Sequence, residues 1–118
     1  MTFAAAGHPP AMLVSHGTLR LLGSQNGILG CLSEIAPYEP AEEIELLPGD
    51  RLVLYTDGLV EVFNIRQEML GVEGLQELVR HSATRALPEM RRTILDGAAE
   101  WRRGAFADDV CLIIVEVH

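Results

Sequence analysis

Short apolar or alternating stretches, separated by turn signals, run along the first half of the chain and predict β-strands. Residues 11–15 and 18–22 have the composition of two short strands, and the dipeptide at 16–17 between them is a tight-turn signal. Residues 43–46 alternate strictly, which predicts a strand with one face in water. The Pro-Gly-Asp turn signal at 48–50 then leads into the next strand.

Two later segments, residues 51–57 and 110–115, carry apolar runs that do not alternate. Antiparallel strands usually alternate, so a continuous apolar run indicates that both faces of the strand are covered. Two stacked sheets with helices on their outer sides would cover both faces. We therefore expect each of these segments to be a strand buried between two layers.

Two amphipathic helices are predicted between these segments, over about residues 72–83 and 88–103. Their apolar stripes have helical spacing and consist of Val72, Leu75, Leu78, Val79 and Ser82 in the first helix, and Met90, Ile94, Ala98 and Trp101 in the second. Pro88 suits the first position of the second helix, and Gly104 suits its C-terminal cap. We interpret both stripes as core.

Acidic residues stand at the ends of the two apolar strands. Asp57 ends the first strand, whereas Asp108 and Asp109 begin the second. If the strands pair antiparallel, the end of one lies beside the start of the other, at one rim of the sheet. Carboxylates that are brought together repel each other unless a cation lies between them, and hard divalent ions prefer such oxygen ligands. The pattern therefore predicts half of a metal site.

Composition and charge exclude several classes of partner. The 118 residues are enough for one domain, and 48% are hydrophobic, so the chain is not disordered. A formal net charge of −8 argues against nucleic acid and against anionic membranes. No apolar run approaches the roughly 20 residues that span a bilayer, and we find no signal peptide.

The two cysteines, Cys31 and Cys111, do not form a metal-ligand pair. We interpret Cys111, within an apolar run, as a buried small hydrophobic residue. A reducing cytoplasm is the simplest expectation for the location of the protein.

Five short motifs occur in order along the chain and together are specific. They are A-G-H-P-P at 6–10, G-I-L-G at 27–30, L-P-G-D-R-L-V-L-Y-T-D-G-L-V-E at 47–61, E-M-L-G at 68–71 and D-D-V-C at 108–111. The set resembles the C-terminal half of the bacterial SpoIIE-type phosphatase domain, a group of metal-dependent, type-2C-like (PPM) protein serine/threonine phosphatases. The chain departs from the family pattern at Ile28, Gln67, Leu70 and Cys111, where proline, glycine, phenylalanine and threonine are common.

The resemblance implies an α+β fold that is part of a four-layer αββα sandwich, in which two antiparallel β-sheets are flanked by helices. It also implies two Mn²⁺ or Mg²⁺ ions and a metal-activated water that attacks a phosphoserine or phosphothreonine. Asp57 and Asp108 match the metal ligands of the T-D-G and D-D motifs. The family often has asparagine at the position of Asp109, so a hydrogen-bonding role is the better interpretation there.

Two further polar residues near these motifs have alternative interpretations. His8 has the chemistry of a general acid, but in Gly-His-Pro-Pro a rigid turn with a local hydrogen bond is the favoured interpretation. Glu61, a few residues after Asp57, is either a solvated side chain or one that orients a metal-bound water.

Nothing in the chain matches the metal-site positions in the N-terminal half of the family. We therefore expect residues 1–118 to be the C-terminal portion of one phosphatase domain, inactive alone, within a parent protein that is active. A second copy or another chain that completes the sheet is a further expectation, since an exposed sheet edge favours pairing.

Family analogy implies a regulatory substrate, a phosphorylated STAS-domain anti-sigma-factor antagonist, and control of a sigma factor in stress or development. The alternative is a catalytically inactive phosphatase-like module that binds a partner. Two correctly placed aspartates upstream of Met1 in the gene would favour the enzyme, and their absence would favour the module.

Overall fold

The computed structural model describes residues 1–23, 41–103 and 109–118. In these residues the strands are β1 (Thr2–Phe3), β2 (Ala11–Ser15), β3 (Thr18–Leu22), β4 (Glu42–Glu43), β5 (Arg51–Tyr55) and β6 (Leu112–Glu116). A 3₁₀ turn (Asp57–Leu59) follows β5, and the helices are α1 (Gly71–Ser82) and α2 (Leu87–Arg102). The predicted hairpin strands match β2 and β3, and the predicted helices agree with α1 and α2 to within one residue at each end.

Two antiparallel sheets organise the strands, which confirms the predicted α+β class with two sheets and flanking helices. The larger sheet has the order β3-β2-β5-β6, and β1 pairs with β4 in a two-stranded sheet. His16 and Gly17 both have positive φ, 47° and 79°, which is the geometry of a type I′ hairpin turn. That turn sets the register of β2 on β3, in which Ser15 lies opposite Thr18.

The main core lies between one face of the larger sheet and the two helices. Its most buried side chains come from both layers: Met12, Val53, Tyr55, Leu59, Leu75, Val79, Met90, Ile94 and Ala98. The buried stripe of each helix therefore follows the predicted spacing, with one exception. Trp101 lies at the end of α2, where it is exposed rather than part of the core.

The opposite face of the larger sheet is covered only in part. Ala11, Leu13 and Ile44 form a second buried cluster there, with Leu52 and Leu54 packed against it. Farther along this face, Ile113 and Val115 of β6 are half-exposed. The expectation that residues 110–115 are covered on both faces is therefore wrong for the described residues, because β1 and β4 are two residues long and the second cluster does not include Ile113 or Val115.

Close helix packing and one arginine hold the two layers together. A Cβ atom added at Gly97 of α2 would lie 2.3 Å from Cδ2 of Leu78 in α1, so the helices approach closely at this glycine. Arg51 of β5 donates to the carbonyl oxygens of Ala83 (2.9 Å) and Arg85 (2.6 Å) in the α1–α2 connection. Arg51 also pairs with Glu116 of β6 at 2.6 Å, which ties the sheet to that connection.

Two smaller expectations require correction, and four others fall outside the described residues. Only Glu42–Glu43 forms a strand where residues 43–46 were expected to, although Ile44 is buried and Glu45 is exposed as the alternation predicts. Cys111 is exposed, because it lies just before β6 at the end of the sheet and not within the strand. Gly104, Cys31, the motif at 27–30 and Asp108 lie outside the described residues, and Arg103 adopts the left-handed conformation (φ 58°) that ends α2.

Candidate active site

The candidate site lies where β5 ends and β6 begins, which we call the β5–β6 rim (residues 56–58 and 109–111). The two strands pair antiparallel from Arg51 opposite Glu116 to Tyr55 opposite Leu112. This pairing confirms the prediction from the two apolar runs. It places Asp57, which follows β5, and Asp109, which precedes β6, at the same rim of the sheet.

Thr56 joins the two strands at this rim through its backbone and its side chain. Its N–H donates to the Cys111 carbonyl oxygen at 3.1 Å, and its hydroxyl oxygen accepts from the Cys111 N–H at 3.0 Å. The same hydroxyl donates to the Asp109 carbonyl oxygen at 3.4 Å. A side chain thus takes the position that a backbone carbonyl has in a regular hydrogen-bonded pair. Sequence reasoning missed this role, although Thr56 stands within the T-D-G motif.

Asp57 is exposed, and its main chain is held in a tight turn. Its carbonyl oxygen accepts from the N–H groups of Val60 (3.0 Å) and Glu61 (2.8 Å). Leu59, two residues later, is fully buried and anchors the turn in the main core. The carboxylate therefore stands on a main chain that is held by hydrogen bonds and by packing, which is suitable for a metal ligand.

The donor set at the rim suits a hard divalent cation. Asp57 and Asp109 are both exposed carboxylates on neighbouring strand ends, and Mg²⁺ and Mn²⁺ prefer such oxygen donors. Within residues 1–23, 41–103 and 109–118, no three histidine, cysteine, aspartate or glutamate side chains come together as a metal site. The described residues therefore supply at most part of a metal site, and the predicted ligand Asp108 lies outside them.

Tyr55 lies directly beneath the rim and is buried. Burial raises the pKa of its phenol to about 12, and the negative charge of Asp57 contributes to the shift. In the described part of the chain its hydroxyl has no hydrogen-bond partner. The phenol therefore stays neutral at ordinary pH.

The histidines at 8, 16 and 81 bond locally or lie at the surface. Nδ1 of His8 lies 2.7 Å from the Pro9 carbonyl oxygen, which confirms the predicted local hydrogen bond. His16 and His81 are exposed, as expected for surface residues. Glu61 is exposed, and its backbone N–H bonds to Asp57, so it lies in the same turn as the candidate ligand.

Asp50, at the opposite end of β5, is a structural carboxylate that sequence reasoning treated only as part of a turn. Its side chain is buried and accepts from the Leu47 N–H at 2.9 Å. This bond, together with a hydrogen bond from Ser15, holds the pKa of Asp50 below its ordinary value, although burial acts in the opposite direction. Asp50 therefore stabilises the turn before β5 and is not part of the candidate site.

The family model described as Stage II sporulation protein E (SpoIIE) matches residues 1–118. The chain therefore belongs to the SpoIIE family, whose fold is that of the PP2C protein phosphatases and whose phosphatases are metal-dependent. A search of curated protein sequences found no significant match. Neither helix in the described part of the chain is long and apolar enough to cross a membrane.

Three solved structures show the same fold. The SiaA-PP2C domain of Pseudomonas aeruginosa is 22% identical with a TM-score of 0.76, and the match covers 96% of this chain and 45% of that one. The PP2C phosphatase domain of Bacillus subtilis SpoIIE, with a fragment of its regulatory domain, is 18% identical with a TM-score of 0.75. That match covers 98% of this chain and 33% of the solved chain. The structure of the RsbU and RsbW domains of Rv1364c from Mycobacterium tuberculosis is 27% identical with a TM-score of 0.70. That match covers 98% of this chain and 31% of the solved chain.

The coverage values show that this chain spans less than half of the length of each of these solved chains. Each of them contains the fold seen here as one part of a longer chain.

Proposed function

We propose that this chain is the C-terminal portion of a metal-dependent protein serine/threonine phosphatase of the SpoIIE type. The observation that carries the proposal is the antiparallel β5–β6 pairing, which brings Asp57 and Asp109 to one rim in a chain of the SpoIIE family. Asp57 and Asp108 are the proposed metal ligands. Asp109 adds a carboxylate at the same rim, with hydrogen bonding as its expected role.

Mn²⁺ or Mg²⁺ is the proposed cofactor, with two ions in the complete site. Divalent ions of this kind lower the pKa of a water molecule and neutralise phosphoryl oxygens, which a phosphomonoester dianion requires. The residues of this chain hold the carboxylates in place. Thr56 joins the two strand ends by hydrogen bonds, and the turn at Asp57 positions one ligand. Tyr55, the residue before Thr56, is buried in the main core and anchors the end of β5.

The rest of the domain is proposed to come from an upstream half or from another chain. The half-exposed side chains of Ile113 and Val115 support this view, because a second layer on that face would bury them. The length of the solved relatives supports it as well. On this proposal the 118 residues alone do not hydrolyse phosphoproteins.

The proposed substrate is a phosphorylated regulatory protein, a STAS-domain anti-sigma-factor antagonist, and the proposed output is control of a bacterial sigma factor. This part rests on the motif resemblance and on the similarity to SpoIIE and to a protein with RsbU and RsbW domains. A cytoplasmic location belongs to the same proposal.

The test is Mn²⁺- and Mg²⁺-dependent hydrolysis of a phosphoserine protein by the longest natural form of the protein. We expect activity in that form, loss of activity in Asp57→Asn, and none in the 118-residue chain. Asp96→Asn, an exposed acid on α2, is the matched control and should keep full activity. A folded, metal-supplied long form that does not hydrolyse phosphoserine would contradict the enzyme and favour a binding module.

A further inference from the structure

A hairpin of residues 60–71 begins directly after the 3₁₀ turn of the candidate site. Three backbone N–H···O=C bonds join its arms: Gly71 to Val60 (2.9 Å), Leu70 to Val62 (2.8 Å) and Asn64 to Glu68 (3.0 Å). Between these bonds, Phe63 and Met69 lie opposite each other in an antiparallel bridge. The hairpin is therefore an ordered extension of the segment that carries Asp57.

The two sides of this hairpin differ in exposure. Val62 and Leu70 are buried and belong to the main core. The next pair, Phe63 and Met69, is 49% and 51% exposed, and Ile65 at the tip is 70% exposed. We call these three side chains, Phe63, Ile65 and Met69, the hairpin patch. Phe63 and Met69 are cross-strand neighbours, Ile65 follows at the tip of the same hairpin, and large apolar side chains exposed close together are typical of interaction sites.

The tip that carries the patch is held rigidly. The side-chain oxygen of Asn64 accepts from the N–H groups of Arg66 (2.9 Å) and Glu68 (3.0 Å), and its amide donates to the Glu68 carboxylate at 2.7 Å. Trp101 of α2 donates from Nε1 to the Glu68 carbonyl oxygen at 3.0 Å. The apolar side chains are thus presented on a surface that loses little conformational entropy when a partner binds.

A shallow cleft of about 330 Å³ adjoins the tip. Ile65 and Trp101 supply its apolar surface, and Arg66 and Arg103 supply positive charge beside Glu68 and Glu100. Aromatic residues and arginine are the side chains that most often dominate binding energy in interfaces. Arg66 is exposed to solvent, so an acidic group of a partner can reach its guanidinium.

The position of the patch indicates which partner it fits. The hairpin begins in the turn in which the Glu61 N–H bonds to the Asp57 carbonyl oxygen, so it extends from the edge of the candidate site. A phosphoprotein is anionic, and this chain has a net charge of −8, so long-range electrostatics oppose their encounter. Beyond the charge of the proposed metal ions, apolar contact at the hairpin therefore adds attraction.

We propose that the hairpin patch docks the folded phosphoprotein whose phosphorylated serine or threonine enters the candidate site. This inference rests on the proposed function and adds the surface that selects the substrate. The partner face would be apolar, with an acidic group placed to meet Arg66. The other exposed apolar pair, Ile113 and Val115, lies on the open sheet face that the proposal assigns to the rest of the domain.

The test compares two substrates with the longest natural form of the protein. The substrates are p-nitrophenyl phosphate, which is too small to reach the hairpin patch, and a folded phosphorylated STAS-domain protein from the same genome. Phe63→Ser and Ile65→Ser should lower kcat/KM for the phosphoprotein by about tenfold or more and leave kcat/KM for the small ester unchanged. Leu47→Ser is the matched control, because Leu47 is 42% exposed but lies before β5, at the end opposite Asp57.

Unchanged phosphoprotein kinetics in both variants would overturn the proposal, as would equal losses on both substrates, which indicate a structural effect. Ile65→Ser is the variant that should fold normally, because the Ile65 side chain is mostly exposed to solvent. It therefore separates a docking effect from misfolding. Binding of the phosphoprotein, measured with metal removed by a chelator, separates this proposal from the proposed function. If the unchanged long form binds the phosphoprotein but does not hydrolyse it when metal is supplied, and Ile65→Ser weakens that binding, the docking role of the hairpin patch is supported and the proposed phosphatase activity is contradicted. No binding, or Phe63-dependent binding to phosphatidylcholine vesicles instead, contradicts the patch.

Discussion

The N–H of Cys111 donates to the hydroxyl oxygen of Thr56 at 3.0 Å, and this bond joins the two strand ends that carry the candidate acids. The reciprocal bond from the Thr56 N–H to the Cys111 carbonyl measures 3.1 Å. Because both bonds lie beside Asp57 and Asp109, the spacing of the carboxylates depends on a threonine side chain as well as on the backbone.

Thr56→Val should disturb the β5–β6 rim more than it disturbs the fold. Valine keeps the shape but removes the hydroxyl, so the Cys111 N–H loses its partner, at a cost of about 1 kcal/mol in the free energy of unfolding. In the longest natural form we expect weaker activation by Mn²⁺, measured as the metal concentration for half-maximal hydrolysis. Thr56→Ser keeps the hydroxyl and should keep the metal dependence. Identical metal titrations for the valine and serine variants would contradict this role.

Asp50→Asn should make the protein less stable near neutral pH and should remove part of its sensitivity to acid. The folded-state pKa of Asp50 lies below the ordinary value of 3.8, because the Leu47 N–H and the Ser15 hydroxyl bond to the carboxylate. The carboxylate therefore stabilises the fold above that ordinary value, and its contribution is lost as the pH falls through the folded pKa. Urea unfolding at several pH values measures this slope.

Asp96→Asn is the control for the Asp50 measurement, because Asp96 is exposed on α2. It should leave the free energy of unfolding at neutral pH, and the decrease of that free energy with falling pH, close to those of the unchanged protein. If the free energy of unfolding decreases with falling pH equally in Asp50→Asn and in the unchanged protein, Asp50 does not contribute to the acid sensitivity of the fold.

Gly97→Ala should have opposite effects in two backgrounds. Alanine favours a helix by about 1 kcal/mol over glycine, but the new Cβ would lie 2.3 Å from Cδ2 of Leu78. With Leu78 present we expect net destabilisation by about 1 kcal/mol, and in Leu78→Ala we expect net stabilisation. Chemical unfolding of the four proteins in this double-mutant cycle measures both effects. Gly23→Ala, where the added Cβ meets nothing within 4 Å, is the control. Equal effects in the two backgrounds would exclude the steric contact.

Tyr55 should titrate about two pH units above an ordinary tyrosine. Its pKa is raised from 10.0 to about 12, first by burial and then by the charge of Asp57. Because the folded-state pKa exceeds the unfolded value, stability is retained below pH 10 and falls as the pH rises towards 12. Phenolate absorbance in Tyr38→Phe, which leaves Tyr55 as the one tyrosine, measures the pKa directly.

Asp57→Asn in that background should lower the Tyr55 pKa, because the nearby negative charge is removed. Titration of Tyr55 near pH 10 in the folded Tyr38→Phe protein would contradict its burial beneath the rim.

Most of the local structure was predictable from the sequence. The tight turn at His16-Gly17 and the strands on either side followed from turn signals and strand-like composition, which depend on neighbours in the chain. The helices were predictable for the same reason, since their apolar residues recur at helical spacing. The sequence predicted that Asp57 and Asp108 meet at one rim if two apolar strands pair antiparallel. That pairing is confirmed and places Asp57 and Asp109 at the rim, whereas Asp108 lies outside the described residues.

Burial at the ends of elements was not predictable from those patterns. Cys111 stands in an apolar run yet is exposed, because β6 begins one residue later. Trp101 continues the apolar stripe of α2 yet lies beyond the core, and its Nε1 bonds to Glu68 in the hairpin. Periodicity identifies the side of a helix that faces the core, but it does not show where the partner surface stops.

The sequence by itself determined the elements, the family resemblance and the two strand ends that carry the candidate ligands, because these depend on local spacing and on motif order. Only the tertiary structure decided that Thr56 joins the rim, that Asp50 is buried and that the hairpin patch is exposed. The first two depend on the register of β2, β5 and β6 and on contacts between residues far apart in the chain, and the third depends on which hairpin side chains the main core covers. A linear pattern does not specify such contacts, because the same alternation is compatible with a covered face and with an open one.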